Sequence, residues 1–252
     1  GARRVALGPR GGTVYTRGVA EMPVAENSER IAAYMKVMPS RHNQRGVTTS
    51  VNATFFNLPI YLVDSSDPET PMTRVHFSGI ASRRPYGKMN EILYPEEGVP
   101  MPAYAKAANP QRAGDSAMAI YDLHTGIFRE YFLILKNEDG SWGGNYGGWS
   151  KDMFDLPAKN YAMQHIEGTD FVVGMIGGLA QVGIEEARRG VVNHAICFTA
   201  ANARRGVFSW PAKGGDGTDD SPDAPAQGQW FRLPPDLDLD ELNLGPFTRL
   251  LA

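Results

Sequence analysis

The chain has 252 residues, of which 42% are hydrophobic, and this is enough apolar material for one substantial core. Its 25 basic and 28 acidic residues give a net charge of -3 with no long block of either sign, which argues against nucleic-acid partners. No apolar run approaches the ~20 residues that a membrane span requires, so we expect no membrane partner either. A single domain over residues 1–252 is expected, with residues 1–24 as a possible N-terminal arm.

The first predicted helix begins near Ser28, a favourable N-cap residue, and runs through ERIAAYMKVM until Pro39 blocks it. From Thr48 the hydrophobic period changes to two or to continuous apolar runs, which predicts strands in TTSVNATFF, LPIYLVDS and TRVHFSGI. The stretch 84–111 is rich in proline and is expected to be irregular.

The clearest local unit is a hairpin in SAMAIYDLHTGIFREYFLILKN, where two β-rich runs flank the loop LHTG. If Asp122 pairs with Ile127, side chains of both strands share one face of the sheet. These are Tyr121, Phe128, Glu130 and Phe132. The pairing therefore predicts a carboxylate among aromatic rings.

After the hairpin, the paired glycines of SWGGNYGGW predict a loop or a distorted strand. A short helix IEEARRG, ended by Gly190, is followed by predicted strands VVNHAICFTA and GVFSWPA. A long surface loop KGGDGTDDSPDAPAQG comes next, and Pro246 begins a last helix at PFTRLLA. Many short strands and few helices favour an all-β fold, a jelly-roll-like β-sandwich with short peripheral helices.

The ordered series FFNLPIYLVDSSDP, MAIYDLHTGIFREYF, IEEARRGVVNHAICF, FSWPAKGGDG and GQWFRL resembles a group of uncharacterised, mostly actinobacterial secreted proteins. The resemblance covers roughly residues 50–250. It implies a secreted, β-rich and carbohydrate-active protein, and it carries over no catalytic residue.

Two carboxylates of the hairpin are candidates for general acid–base chemistry. Glu130 lies among aromatic residues, where lost hydration favours the neutral acid that protonates a leaving oxygen. The alternative is an exposed strand glutamate paired with an arginine. Asp122 is the natural second carboxylate of a glycosidase pair, although an aspartate in this position also suits a turn that it simply hydrogen-bonds.

His194 is a candidate general base, either for hydrolysis or for the β-elimination catalysed by a polysaccharide lyase. Asp170, Asp152 or Asp155 could supply a further carboxylate, and Tyr146 or Tyr161 the acid. Basic side chains for a uronate substrate are present in the sequence: Arg129, Arg188 and Arg204. The alternative for His194 is a core histidine bonded to the backbone or to a carboxylate.

Aromatic residues could stack on sugar rings or pack beneath a long loop. They are Trp142, Tyr146, Trp149, Trp210 and Tyr121. The aspartates between 216 and 223 lack the ordered spacing of a calcium loop, and the five histidines show no metal-binding spacing, so no metal or other cofactor is expected. The single cysteine, Cys197, excludes an internal disulfide and is expected to pack in the core.

The sequence thus predicts a secreted, metal-independent enzyme with a polysaccharide partner. Glycoside hydrolysis with Glu130 as acid is the preferred hypothesis. A lyase that uses His194 and a tyrosine is one alternative. A carbohydrate-binding or surface structural module without chemistry is the other.

Overall fold

A computed structural model describes residues 14–16, 18–38, 57–78, 88–109, 116–150 and 173–252. Within these ranges the protein is a β-rich fold with a few short helices, as the sequence predicts. The strands are β1 (Ile60–Val63), β2 (Met72–Thr73), β3 (Val75–Phe77), β4 (Val99–Pro100), β5 (Ala117–Asp122), β6 (Phe128–Phe132), β7 (Leu135–Lys136), β8 (Trp142–Gly144) and β9 (Tyr146–Ser150). The α-helices are α1 (Ser28–Val37), α2 (Lys88–Leu93), α3 (Ile184–Arg189) and α4 (Pro246–Leu251), with 3-10 turns at Val14–Thr16 and Gly177–Leu179.

The central sheet has the strand order β1-β5-β6-β9. Strands β5, β6 and β9 are antiparallel neighbours, and β1 adds to β5 in parallel. The predicted hairpin register is confirmed, because Tyr121 opposes Phe128 and Ala119 opposes Glu130. Two smaller sheets have the orders β2-β4 and β3-β8-β7.

Both faces of the central sheet are covered, which is why all six residues of β5 are buried. Successive residues of a strand point to opposite faces, so Glu130 and Arg129 mark two different surfaces. We call them the glutamate face and the arginine face. The glutamate face packs against Tyr15, Leu58, Ile176, Leu179 and Ala180. The arginine face packs against Leu93, Val99, Met101, Ile134 and Trp142.

Three predicted helices are confirmed, and they are α1, α3 and α4. α3 ends as expected at Gly190, whose φ of 69° is left-handed and favours glycine. Helix α2 lies in the stretch that the sequence analysis predicts to be irregular. No helix among the described residues is long and apolar enough to cross a bilayer.

The prediction of two strands in VVNHAICFTA and GVFSWPA is wrong. Residues 191–200 are irregular, and their backbone groups bond singly to scattered partners: Ala195 N–H to the Tyr15 carbonyl at 2.6 Å, and Cys197 N–H to the Ala180 carbonyl at 2.8 Å. The run GVFSWPA has one isolated bridge, between Phe208 and Gln227. No residue of 191–200 is fully buried, and no ladder of strand hydrogen bonds forms in either run.

Candidate functional site

Glu130 occupies the middle of β6, and its side chain lies on the glutamate face with the residue only 1% exposed. Its cross-strand neighbours are Ala119 on β5 and Gly148 on β9, the two smallest kinds of residue. Neither neighbour has a long side chain that could lie beside the carboxylate within the sheet. Oε2 accepts a hydrogen bond of 3.1 Å from the backbone N–H of Gly177.

The segment that covers Glu130 lies on the sheet at unusually close range. A Cβ built on Gly178 would be 2.7 Å from Cζ of Phe128 and 3.1 Å from Cδ1 of Ile60. Only a residue without a side chain fits there, and this brings the neighbouring amide of Gly177 within hydrogen-bonding distance of Glu130. Close packing of the turn against the sheet thus explains the glycine at position 178.

Two hydroxyl groups share the glutamate face with Glu130. Tyr121, Phe128 and Ser150 form the adjacent cross-strand row, and all three are buried. The rings of Tyr121 and Phe128 are tilted by 52° with centroids 6.2 Å apart. Glu130 therefore lies on an apolar surface bordered by a tyrosine and a serine. Its aromatic neighbours Tyr121 and Phe128 are those that the predicted hairpin register places beside it.

Asp122, at the end of β5, has both carboxylate oxygens engaged in the turn. Oδ1 accepts the backbone N–H groups of Ser65 at 3.0 Å and His124 at 3.1 Å. Oδ2 accepts the hydroxyls of Ser65 and Thr125, each at 2.7 Å. Burial acts to raise the pKa of Asp122, but the hydrogen bonds from Thr125 and Ser65 outweigh it and hold this pKa below its ordinary value. The geometry matches a carboxylate that organises the hairpin loop.

His194 contacts Glu186, a residue for which no role is predicted from the sequence. Its Nε2 lies 3.1 Å from Oε1 of Glu186, and its Nδ1 lies 2.9 Å from the carbonyl oxygen of Ala195. Both side chains are almost fully buried. Glu186 also accepts the backbone N–H of Gly183 at 2.9 Å, so it caps α3 and holds the histidine at once. The G-x-x-E spacing before a helix is the signal that could have revealed it.

The aromatic candidates do not form one exposed surface. Trp142 and Trp149 are buried on the arginine face, and Tyr121 is buried on the glutamate face. Trp210 is half-buried and packs against the core cluster of the glutamate face. Tyr146 lies in β9. Further candidates lie outside the described residues: Asp170, Asp152, Asp155 and Tyr161. Cys197 is half-buried against the glutamate-face cluster, as expected for a packing residue.

The aspartates of the loop 216–223 bond to protein side chains. Asp219 accepts the hydroxyl of Tyr34 at 2.6 Å, and this bond holds the pKa of Asp219 below its ordinary range. Asp223 pairs with Arg30 at 3.0 Å. Across the described ranges there is no group of three or more His, Cys, Asp or Glu residues that could hold a metal ion.

Comparison with known protein families, with curated proteins and with solved structures gives no match. The resemblance drawn from the sequence motifs therefore stays a prediction.

Proposed function

We propose that this protein is an enzyme that cleaves glycosidic bonds in a polysaccharide, with Glu130 as the general acid. The observation that carries the proposal is the carboxylate of Glu130, buried on an apolar sheet face between Ala119 and Gly148. Burial of a carboxyl group is costly, and buried carboxyl groups are frequent at functional sites.

The surroundings of Glu130 suit proton donation to a leaving oxygen. The side chain lies on an apolar face, and its cross-strand neighbours Ala119 and Gly148 carry little side chain that could keep a substrate atom away. Because the residue is 1% exposed, substrate entry requires the turn Gly177–Leu179 to move away from the sheet. The hydrogen bond from the Gly177 amide to Glu130 would break in that movement.

The second carboxylate of a hydrolase pair is better supplied by a residue other than Asp122. The four hydrogen bonds that Asp122 accepts leave it little freedom to act as base or nucleophile. The other aspartates named for this role are Asp152, Asp155 and Asp170, and Asp170 precedes the covering segment in the chain. The same proposal includes a polysaccharide as the partner and secretion of the protein from the cell.

The test compares wild type with Glu130→Gln and Asp170→Asn on a panel of neutral and uronate-containing polysaccharides, following reducing ends and the absorbance of unsaturated products. Glu130→Gln preserves the shape of the side chain, and loss of general acid catalysis should lower turnover by about 10²–10⁴-fold. Glu138→Gln, which changes an exposed glutamate in the turn before β8, is the matched control and should retain full turnover. Full activity of folded Glu130→Gln would rule out the proposed acid.

A non-catalytic carbohydrate-binding or structural module is the second candidate. It is favoured by the structural partners of Asp122 and His194, each of which is held by hydrogen bonds within the fold. In this case, glycan binding would survive Glu130→Gln and no product would form with wild type. The lyase alternative has less support, because both ring nitrogens of His194 face acceptor atoms and neither is directed toward a substrate proton.

The jelly-roll arrangement belongs with these proposals. Its support is the layering of the central sheet between two covering clusters. The parallel pairings of β1 with β5 and of β3 with β8 are unusual for a jelly roll, which is built mainly from antiparallel strands.

A further inference from the structure

Two buried hydrogen-bond donors lie side by side on the arginine face. Arg129 on β6 and Trp149 on β9 are direct cross-strand partners, 8% and 4% exposed. Neighbouring side chains on one face of an antiparallel pair are within contact distance of each other. The Arg129 and Trp149 side chains are therefore neighbours on this face.

The orientation of Arg129 is fixed by helix α2. Its Nε donates a hydrogen bond of 2.8 Å to the carbonyl oxygen of Ile92, and the hydroxyl of Tyr131 donates one of 2.7 Å to the carbonyl of Leu93. These carbonyls belong to the last turn of α2, where backbone acceptors lack partners within the helix and a positive charge is favourable. One edge of the guanidinium is thereby held in place.

Two of the remaining donors have no acceptor among the described residues. Nη1 of Arg129 and Nε1 of Trp149 are both buried, and neither has a hydrogen-bond partner there. No ion pair formed within the described ranges includes Arg129. Buried donors nearly always have acceptors, and a buried cation needs a counter-charge. Two such donors on adjacent strands point to an acceptor that bears negative charge.

We propose that Arg129 and Trp149 form a binding site for a small carboxylate. One guanidinium supplies one positive charge, which matches a monoanion better than a phosphate dianion. A planar carboxylate can accept from Nη1 with one oxygen and from the indole N–H with the other. The site is independent of the proposed hydrolase chemistry, because consecutive residues of β6 place Glu130 and Arg129 on opposite faces of the sheet.

The experiment uses the full chain, labelled with ¹⁵N, and follows the indole N–H resonances of its four tryptophans. Trp149→Phe identifies the resonance of Trp149. Sodium acetate or sodium glucuronate is titrated against sodium chloride at equal ionic strength. Both carboxylates should shift the Trp149 resonance to saturation and raise the melting temperature, because a ligand that binds only the folded state stabilises it.

Arg129→Lys keeps the charge but removes the fork of donors, and we expect it to weaken acetate binding about tenfold or more. Trp149→Phe, measured by the thermal shift, should weaken it to a similar extent by removing one donor to a charged acceptor. Tyr131→Phe is the matched control, because it releases the other side chain that anchors α2 and leaves both donors in place. It should retain the affinity of wild type.

Three outcomes would overturn the proposal. The Trp149 resonance could fail to respond to either carboxylate. It could respond to inorganic phosphate or sulfate and not to acetate, which would assign a different anion. It could respond to acetate equally in wild type and in folded Arg129→Lys, in which case the guanidinium does not hold the ligand. Since glucuronate is compared with acetate, the result also shows whether the site takes a sugar acid or any carboxylate.

Discussion

Glu186 and His194 form a buried pair, with 3.1 Å between Oε1 and Nε2, at the point where helix α3 gives way to the irregular chain after Gly190. The Glu186 carboxylate also accepts a hydrogen bond from the backbone N–H of Gly183, the N-cap residue of α3. The pair therefore ties the start of α3 to the segment that follows its end. A helix of six residues has little stability of its own, so such tertiary contacts maintain it.

The first prediction concerns the stability contributed by this pair. In a double-mutant cycle with Glu186→Ala and His194→Ala, we expect each single variant to lower the free energy of unfolding and the coupling energy to be about 1–3 kcal/mol. The expected size reflects a charge-assisted hydrogen bond that is shielded from water. Urea denaturation followed by circular dichroism measures all four proteins.

The exposed pair of Glu185 and Arg188 on the same helix is the matched control. Its side chains are largely in solvent, and exposed ion pairs contribute little. Arg188→Ala should leave the urea midpoint almost unchanged. A coupling energy near zero for Glu186 and His194, or an equal loss in the control, would contradict a structural role for the pair.

The second prediction concerns how the contribution of Asp122 to folding stability depends on pH. Its folded-state pKa is lowered, so its contribution to stability is fully present above the unfolded value of about 3.9 and is lost as the pH falls through the folded value. Asp122→Asn removes the charge that Ser65 and Thr125 recognise. It should lower the free energy of unfolding at neutral pH by about 1–3 kcal/mol. The deficit relative to wild type should shrink progressively in acid.

Denaturant unfolding at a series of pH values measures this difference. Asp236→Asn is the control, because Asp236 is exposed and lies in the C-terminal part of the chain, far along the sequence from the hairpin loop. It should follow wild type at every pH. If the difference in free energy of unfolding between wild type and Asp122→Asn stays constant down to strongly acidic pH, the charge of the Asp122 carboxylate does not contribute to stability.

The hairpin is the part of the site that the sequence predicts best. Strands β5 and β6 are adjacent in the chain and joined by the short loop LHTG, so local turn geometry fixes the register and with it the positions of Tyr121, Phe128 and Glu130. By contrast, the strand predicted at 191–200 fails because an apolar run does not specify a pairing partner, and Val191 and Phe198 of this run are about half exposed.

The arginine-face donors depend on contacts that no local pattern encodes. Arg129 is an ordinary strand residue in the sequence, and its neighbours become apparent only when β9 pairs with β6 and α2 packs across them. Helix α2 itself is short and lies in a proline-rich stretch, so propensity does not reveal it. Its last carbonyls are satisfied by Arg129 and Tyr131, and this tertiary support explains why it forms.

The third prediction concerns the turn that covers Glu130. In Gly178→Ala the new methyl group would meet Cζ of Phe128 at 2.7 Å and Cδ1 of Ile60 at 3.1 Å, so the turn or the ring must shift. Overpacking of this kind should lower the free energy of unfolding by about 1–3 kcal/mol. The displaced turn should also lose the hydrogen bond from Gly177 to Glu130, and amide exchange at Gly177 should become faster.

Gly214→Ala is the matched control, since a Cβ at Gly214 meets nothing within 4 Å and should cost little. Combining Gly178→Ala with Phe128→Leu removes the far end of the ring and should recover part of the stability lost in Gly178→Ala. Because Phe128 and Gly178 are in direct contact, their effects should not be additive. If Gly178→Ala is as stable as wild type and Gly177 exchanges at an unchanged rate, the turn is not packed tightly on the sheet. Glu130 would then be covered by another part of the chain.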